Sequence, residues 1–131
     1  MPMRSRTIVL FALSCLLMTI AATAHHSFAA EYYEDQTMTV TGQLVEFDYR
    51  APHAWVHVRG VDDQNRPQTY AAEWANPSRL SRDNVTKETL RPGDTLILTG
   101  SPGRNPQDHR LHLKLVERPA DGWRWEGFRR R

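Results

Sequence analysis

Five stretches of this chain alternate apolar and polar residues with the two-residue period of a half-buried β-strand, and this pattern restricts the possible folds more than any other feature. The five predicted strands are Thr37 to Asp48, Ala54 to Val61, Thr69 to Trp74, Thr95 to Gly100 and Leu111 to Glu117. In the last of them, the alternation predicts that Leu111, Leu113 and Leu115 point inward.

The third and fourth strands are separated by a segment with a helix start at Asn76-Pro77-Ser78 and widely spaced apolar residues up to Leu90. The order is therefore three strands, one short helix and two strands. That order predicts an all-β domain with one short helix, a small OB-fold-like five-stranded barrel. The alternative is a small β-sandwich, which usually needs about seven strands.

The N-terminal segment has the three parts of a secretory signal peptide. Arg4 and Arg6 precede an apolar run from Ile8 to Ile20, and Ala22-Thr23-Ala24 is a small-residue cleavage pattern. The run is shorter than the roughly 20 residues that span a bilayer. Cys15 lies in the middle of it, where a lipidation signal fits poorly. We expect an exported, periplasmic protein, with residues 1–24 as signal peptide, 25–118 as the barrel domain and 119–131 as a tail.

The charge of the exported chain bears on its partners. The whole sequence carries a net charge of +2, but the signal removes Arg4 and Arg6, so that the remaining basic residues equal the 15 acidic ones. A neutral domain lacks the basic surface that neutralises phosphates, and we expect no nucleic-acid partner. Cys15, the only cysteine, leaves with the signal, so the exported domain has no disulfide.

Four short features occur in a fixed order along the chain: His25-His26-Ser27-Phe28, Pro52-His53-Ala54-Trp55, Glu73 and Pro92-Gly93-Asp94. Together they resemble an uncharacterised family of exported bacterial proteins, a domain of unknown function. The resemblance implies export and a small β fold, and it implies no activity. The family pattern often has Asn before Pro-His where this chain has Ala51, so a role for that Asn does not carry over.

Cleavage after Ala24 would place two histidines at the new N-terminus. The amine and imidazole of His25 can chelate one metal ion, or the amine can combine with the amide and imidazole of His26. His53, in a connection between strands, is the best third ligand, and such nitrogen-rich sets suit Cu(II) or Ni(II). His57 lies four strand residues away, roughly 13 Å, too far to share the ion. We therefore predict a copper site at His25, His26 and His53, with no other cofactor.

A non-metal alternative uses the surface of the barrel. Trp55, Glu73 and Trp74 would bind an envelope ligand or a protein partner, although such aromatic residues also commonly fill the core of a small domain. Glu73 is either a buried acid or a strand-end carboxylate facing solvent or an arginine. His109 and His112, near the last strand, have no partner that the pattern indicates. A structural accessory of an envelope complex is a third, weaker possibility.

No catalytic motif is present in the sequence: it has no Gly-x-Ser-x-Gly elbow, no His-Glu-x-x-His and no phosphate-binding glycine loop. We expect no enzyme. The tail combines Trp123, Trp125 and Phe128 with arginines, and it either contacts anionic lipid weakly or is simply a solvated end. After signal cleavage we expect no transmembrane helix. The alternative is that Trp123 and Trp125 belong to a short edge strand.

Overall fold

The computed structural model describes residues 27–127. These residues form one six-stranded sheet, two short α-helices and a 3-10 turn. In chain order the elements are α1 (Phe28–Glu31), β1 (Met38–Asp48), β2 (Trp55–Val61), β3 (Pro67–Glu73), α2 (Pro77–Arg82), β4 (Thr95–Pro102), the 3-10 turn (Pro106–Asp108), β5 (Arg110–Arg118) and β6 (Trp123–Glu126). The backbone contacts divide the chain after Ala30, and every strand lies in the unit that begins at Glu31.

The pairing of the strands closes a barrel within the described residues. The sheet order is β3-β2-β1-β4-β5-β6, with antiparallel neighbours throughout, and a parallel pairing of β3 with β5 joins the two sides. Five strands thus form the closed barrel, and β6 extends the sheet beyond β5. With α2 between β3 and β4, this is the OB-like arrangement that the sequence predicts.

The inward positions of the barrel are apolar on every strand. Residues at alternating positions are buried, as the two-residue period requires: Val40, Leu44, Val56, Val58, Tyr70, Ala72, Leu96, Leu98, Leu111, Leu113 and Val116. Helix α2 begins where the Oδ1 atom of Asn76 accepts a hydrogen bond from the backbone N–H of Ser78, 2.7 Å away. Leu80 on this helix is fully buried and belongs to the same core.

Strand β5 departs from strict alternation, and the prediction that Leu115 points inward is wrong. Thr99 pairs with Leu115 whereas Gly100 pairs with Leu113, so Lys114 is an extra residue on β5. This β-bulge reverses the alternation beyond it. Val116 takes the next buried position, while Leu115 is half-buried.

The predicted edge strand near the C-terminus is confirmed as β6, which pairs with β5 from Leu115↔Glu126 to Arg118↔Trp123. Trp125 is only 7% exposed and belongs to the core cluster. It is therefore part of the domain and not an exposed tail residue that could contact lipid. Phe128 and the final arginines lie outside the described residues. No helix in residues 27–127 has the length and apolar character needed to cross a membrane.

Candidate functional site

His53 lies in the connection between β1 and β2, two residues before β2 begins. The antiparallel pairing of β2 with β3 sets Trp55 opposite Glu73, so the connection brings His53 to the end of β3. The Nδ1 atom of His53 is 2.7 Å from Oε1 of Glu73. The His53 side chain is 34% exposed and that of Glu73 only 12%, so the imidazole is accessible while the carboxylate beneath it is largely covered.

Glu73 has two further partners, from different parts of the chain. The hydroxyl of Tyr32 donates a hydrogen bond to Oε2 at a distance of 2.5 Å, and Nη2 of Arg110 donates to the same oxygen at 3.3 Å. Arg110 is brought there by the parallel pairing of β3 with β5, which sets Ala71 beside it. We call these four side chains, Tyr32, His53, Glu73 and Arg110, the Glu73 network.

Tyr32 is the most buried member of this network, at 1% exposure. Its backbone forms an isolated antiparallel bridge with Gly103, and its hydroxyl also accepts a hydrogen bond from Nη2 of Arg110 at 3.1 Å. Burial, together with the adjacent Glu73 carboxylate, raises the pKa of the Tyr32 hydroxyl well above its usual range. Tyr32 therefore remains a hydrogen-bond donor to Glu73 at neutral pH.

Trp55 lies beside this network on the outer surface of β2. Its ring stacks on His57 with the centroids 6.4 Å apart, and the guanidinium of Arg110 lies 4.9 Å from its centroid. Trp74, in contrast, is fully buried in the barrel core. The expectation that Trp55 and Trp74 share one surface is wrong, because Trp74 lies one residue beyond Glu73 and its side chain points to the opposite, inner side.

A second polar cluster adjoins the first. Nδ1 of His112 lies 2.7 Å from Oε1 of Glu34 and 2.8 Å from Nζ of Lys114, and the His112 ring is 5.6 Å from that of Tyr32. His112 is therefore paired, contrary to expectation. Burial, together with the charge of Lys114, lowers the pKa of His112, although Glu34 and Glu73 oppose this. Burial also opposes ionisation of Glu34, but hydrogen bonds from Lys114 and His112 outweigh it and lower the pKa of Glu34.

The predicted metal ligands are only in part within the structure. His53 is described, whereas His25 and His26 lie outside the described residues, so their convergence stays a prediction. Across residues 27–127, no three His, Cys, Asp or Glu side chains come together in a group that could hold a metal ion. The contact of His53 Nδ1 with the Glu73 carboxylate is of a kind that metal-ligating histidines commonly make.

The fold and this site describe a small OB-like β-barrel with a histidine–carboxylate pair at the start of its second strand. A family model covers residues 13–112, and the chain belongs to that family, DUF6152, a family of unknown function. The resemblance noted from the motifs to an uncharacterised family is thereby confirmed.

No curated protein matches the chain in sequence. Among solved structures, the chain is similar to the crystal structure of the mitochondrial single-stranded DNA binding protein Rim1 from S. cerevisiae. The two are 15% identical, with a TM-score of 0.42 over 69% of this chain and 80% of that one.

Tyr32 and Arg110 are partners of Glu73 that the sequence pattern did not predict. An arginine was one of the two environments expected for Glu73, but nothing in the pattern identified Arg110, because the contact depends on the parallel β3–β5 pairing that closes the barrel. Tyr32 had one signal: it is an aromatic residue in the polar lead-in before β1. A large apolar side chain in such a segment usually packs against the domain.

Proposed function

We propose that this chain is an exported periplasmic protein that binds Cu(II) through His25, His26 and His53 and acts by binding without catalysis. The observation that carries the proposal is the hydrogen bond between His53 Nδ1 and Glu73 Oε1. A carboxylate that accepts from one ring nitrogen orients the imidazole and increases the basicity of the other nitrogen toward a metal. His53 is exposed enough to reach an ion, and Glu73 is covered enough to hold the ring.

The export signal supplies the remaining ligands in this proposal. Cleavage after Ala24 creates an amine at His25, and two histidines follow one another there. Amine and imidazole nitrogens form the donor set that Cu(II) favours in planar sites.

The length of the chain between His26 and Tyr32, the first residue of the Glu73 network, is compatible with a shared ion. Tyr32, whose hydroxyl contacts Glu73, follows His26 by six residues, and six residues of extended chain reach at most about 22 Å.

The test is Cu(II) binding to protein processed from its own signal, with mass spectrometry to establish the start at His25 and a competing chelator to rank affinity. We expect one equivalent to bind tightly and this binding to be lost in both His25→Ala and His53→Ala. His57→Ala is the matched control, because His57 stacks on Trp55 and is not a proposed ligand. A Cu(II) affinity that does not change in His53→Ala would overturn the shared site. His25 and His26 would then be only the residues that follow the cleavage site.

A second candidate function is binding of a non-metal envelope ligand at the outer surface of β2. Trp55 supports it, because this ring lies on the β2 and β3 surface that OB-folds use for oligosaccharides and oligonucleotides. Titration with a soluble N-acetylglucosamine oligomer, followed by tryptophan fluorescence, tests it. Binding that survives His25→Ala and disappears in Trp55→Ala would favour this candidate over copper.

A further inference from the structure

The two oxygens of Glu73 have different partners. Oε2 accepts from the hydroxyl of Tyr32 and from Nη2 of Arg110, while Oε1 faces Nδ1 of His53 at 2.7 Å. A carboxylate can only accept hydrogen bonds, so Nδ1 must carry a proton to make this contact. In the neutral imidazole, the lone pair then belongs to Nε2.

We propose that Glu73 is a positioning residue that fixes His53 as the Nδ1–H tautomer and so selects Nε2 as its metal-ligating nitrogen. The choice of a metal ion as the ligand rests on the proposed function. The tautomer itself does not, because it follows from contacts within the described residues.

Tyr32 and Arg110 determine how Glu73 sits. A guanidinium has no acceptor, so Arg110 requires an oxygen on the side of Glu73 that faces it, and the Tyr32 hydroxyl, which accepts from Arg110, donates to the same oxygen. The high pKa of Tyr32 keeps its proton in place. Arg110 is itself packed against the ring of Trp55, which limits its ability to turn away.

This arrangement makes the near-isosteric change Glu73→Gln unusually informative. The amide oxygen must occupy the position of Oε2 to satisfy Tyr32 and Arg110, so the amide NH2 takes the position of Oε1. That NH2 donates, and Nδ1 of His53 must become an acceptor. The proton of the neutral ring would move to Nε2, where it blocks the proposed ligand atom.

The first experiment needs no metal. Long-range 1H–15N correlation spectra of histidine-labelled protein, recorded at mildly alkaline pH, distinguish the two neutral tautomers. We expect Nδ1–H in the wild type and Nε2–H in Glu73→Gln. Glu117→Gln is the matched control, because Glu117 pairs with Arg124 away from the network and should leave His53 unchanged. Nε2–H in the wild type, or the same tautomer in both proteins, would overturn the proposal.

The second experiment links the tautomer to metal binding. Chelator competition with Cu(II), on protein that begins at His25, should show a loss of about 10- to 100-fold in affinity for Glu73→Gln and none for Glu117→Gln. Tyr32→Phe should keep the Nδ1–H tautomer, because Arg110 still requires the oxygen at Oε2. If Glu73→Gln folds poorly, Tyr32→Phe tests the same arrangement, because a switch to the Nε2–H tautomer in this variant would contradict the role of Arg110.

The outcomes separate this inference from the proposed function. If the tautomer of His53 switches in Glu73→Gln but the wild type binds no Cu(II) tightly, the copper function is overturned. Glu73 remains the residue that fixes the tautomer of His53. Copper affinity that falls in Glu73→Gln while the tautomer stays Nδ1–H would overturn the role assigned to Glu73 and leave the copper function standing.

Discussion

The indole rings of Trp74 and Trp125 meet edge to face, with their centroids 5.0 Å apart and their planes at 78°. Trp74 follows β3 and is fully buried, and Trp125 comes from β6, the strand added outside the closed barrel. Nε1 of Trp125 also donates to Oδ2 of Asp83, just beyond α2. One aromatic contact therefore joins β6 and the segment after α2 to the barrel core.

Trp125→Ala should lower the free energy of unfolding by about 3 to 5 kcal/mol, because it removes a large buried side chain and leaves a cavity beside Trp74. Trp123→Ala is the matched control on the same strand. Its ring is only half-buried and lies against Arg118, so we expect less than half of that loss. Urea unfolding followed by circular dichroism measures both, and equal losses would contradict the larger contribution assigned to the buried ring of Trp125.

Gly100→Ala should also destabilise the fold, by a different mechanism. A Cβ atom at Gly100 would lie 2.1 Å from the carbonyl oxygen of His112, on the neighbouring strand at the β-bulge. Because a backbone atom blocks it, β4 and β5 must move apart, and we expect a loss of about 1 to 3 kcal/mol. Thr95→Ala, at an exposed position of β4, should change stability by less than about 0.5 kcal/mol in the same urea titration. Wild-type stability in Gly100→Ala would contradict this account.

The strands could be predicted from the sequence because their inward residues are local and periodic. Strand β2 is an example. Val56 and Val58 alternate with Trp55 and His57 along it, and the structure places the two pairs on opposite sides of the strand. The bulge at Lys114 could not be predicted in this way, because it depends on how β4 and β5 are matched and not on either strand alone.

The site was predictable in part for the same reason. His53 and Glu73 each stood out as a polar group at a strand end, yet nothing local indicates that they contact each other. Their contact follows from the antiparallel register of β2 and β3, and the arrival of Arg110 follows from barrel closure. Tyr32 lies far earlier in the chain, and its position depends on the packing of the lead-in against the barrel.

Tyr32→Phe should cost about 1.5 to 3 kcal/mol of stability, because the hydroxyl donates to a largely covered carboxylate. Tyr70→Phe is the control: its hydroxyl donates to the neutral carbonyl of Val61 at 3.2 Å, and we expect about 0.5 to 1.5 kcal/mol.

The same variant has an alkaline signature. Because the pKa of Tyr32 is higher in the folded state than its ordinary value of 10.0, its contribution to stability is complete below that pH and falls as pH rises above it. Tyr32→Phe should flatten this fall in urea titrations between pH 9 and about 11. If the free energy of unfolding falls just as steeply with pH in Tyr32→Phe, the fall arises from other groups.

His112 should make the fold sensitive to mild acid. Its pKa is lowered from 6.5 by burial and by Lys114, against the opposing effects of Glu34 and Glu73. As pH falls below 6.5, the unfolded chain takes up a proton at this residue before the folded one does, so stability decreases. Glu34 adds a second loss of the same sign below 4.5, since its pKa is lowered on folding.

His112→Gln should therefore remove the first part of the acid-induced loss while keeping a side chain that can donate to Glu34. Free energies of unfolding from urea titrations at intervals between pH 8 and about pH 5 test this. Lys114→Met provides the complementary change: removing the cation 2.8 Å from Nδ1 raises the pKa of His112 toward its ordinary value and should make the decline shallower, without abolishing it, because burial is the larger cause. A decline of unchanged slope in both variants would mean that the acid sensitivity of the barrel arises elsewhere.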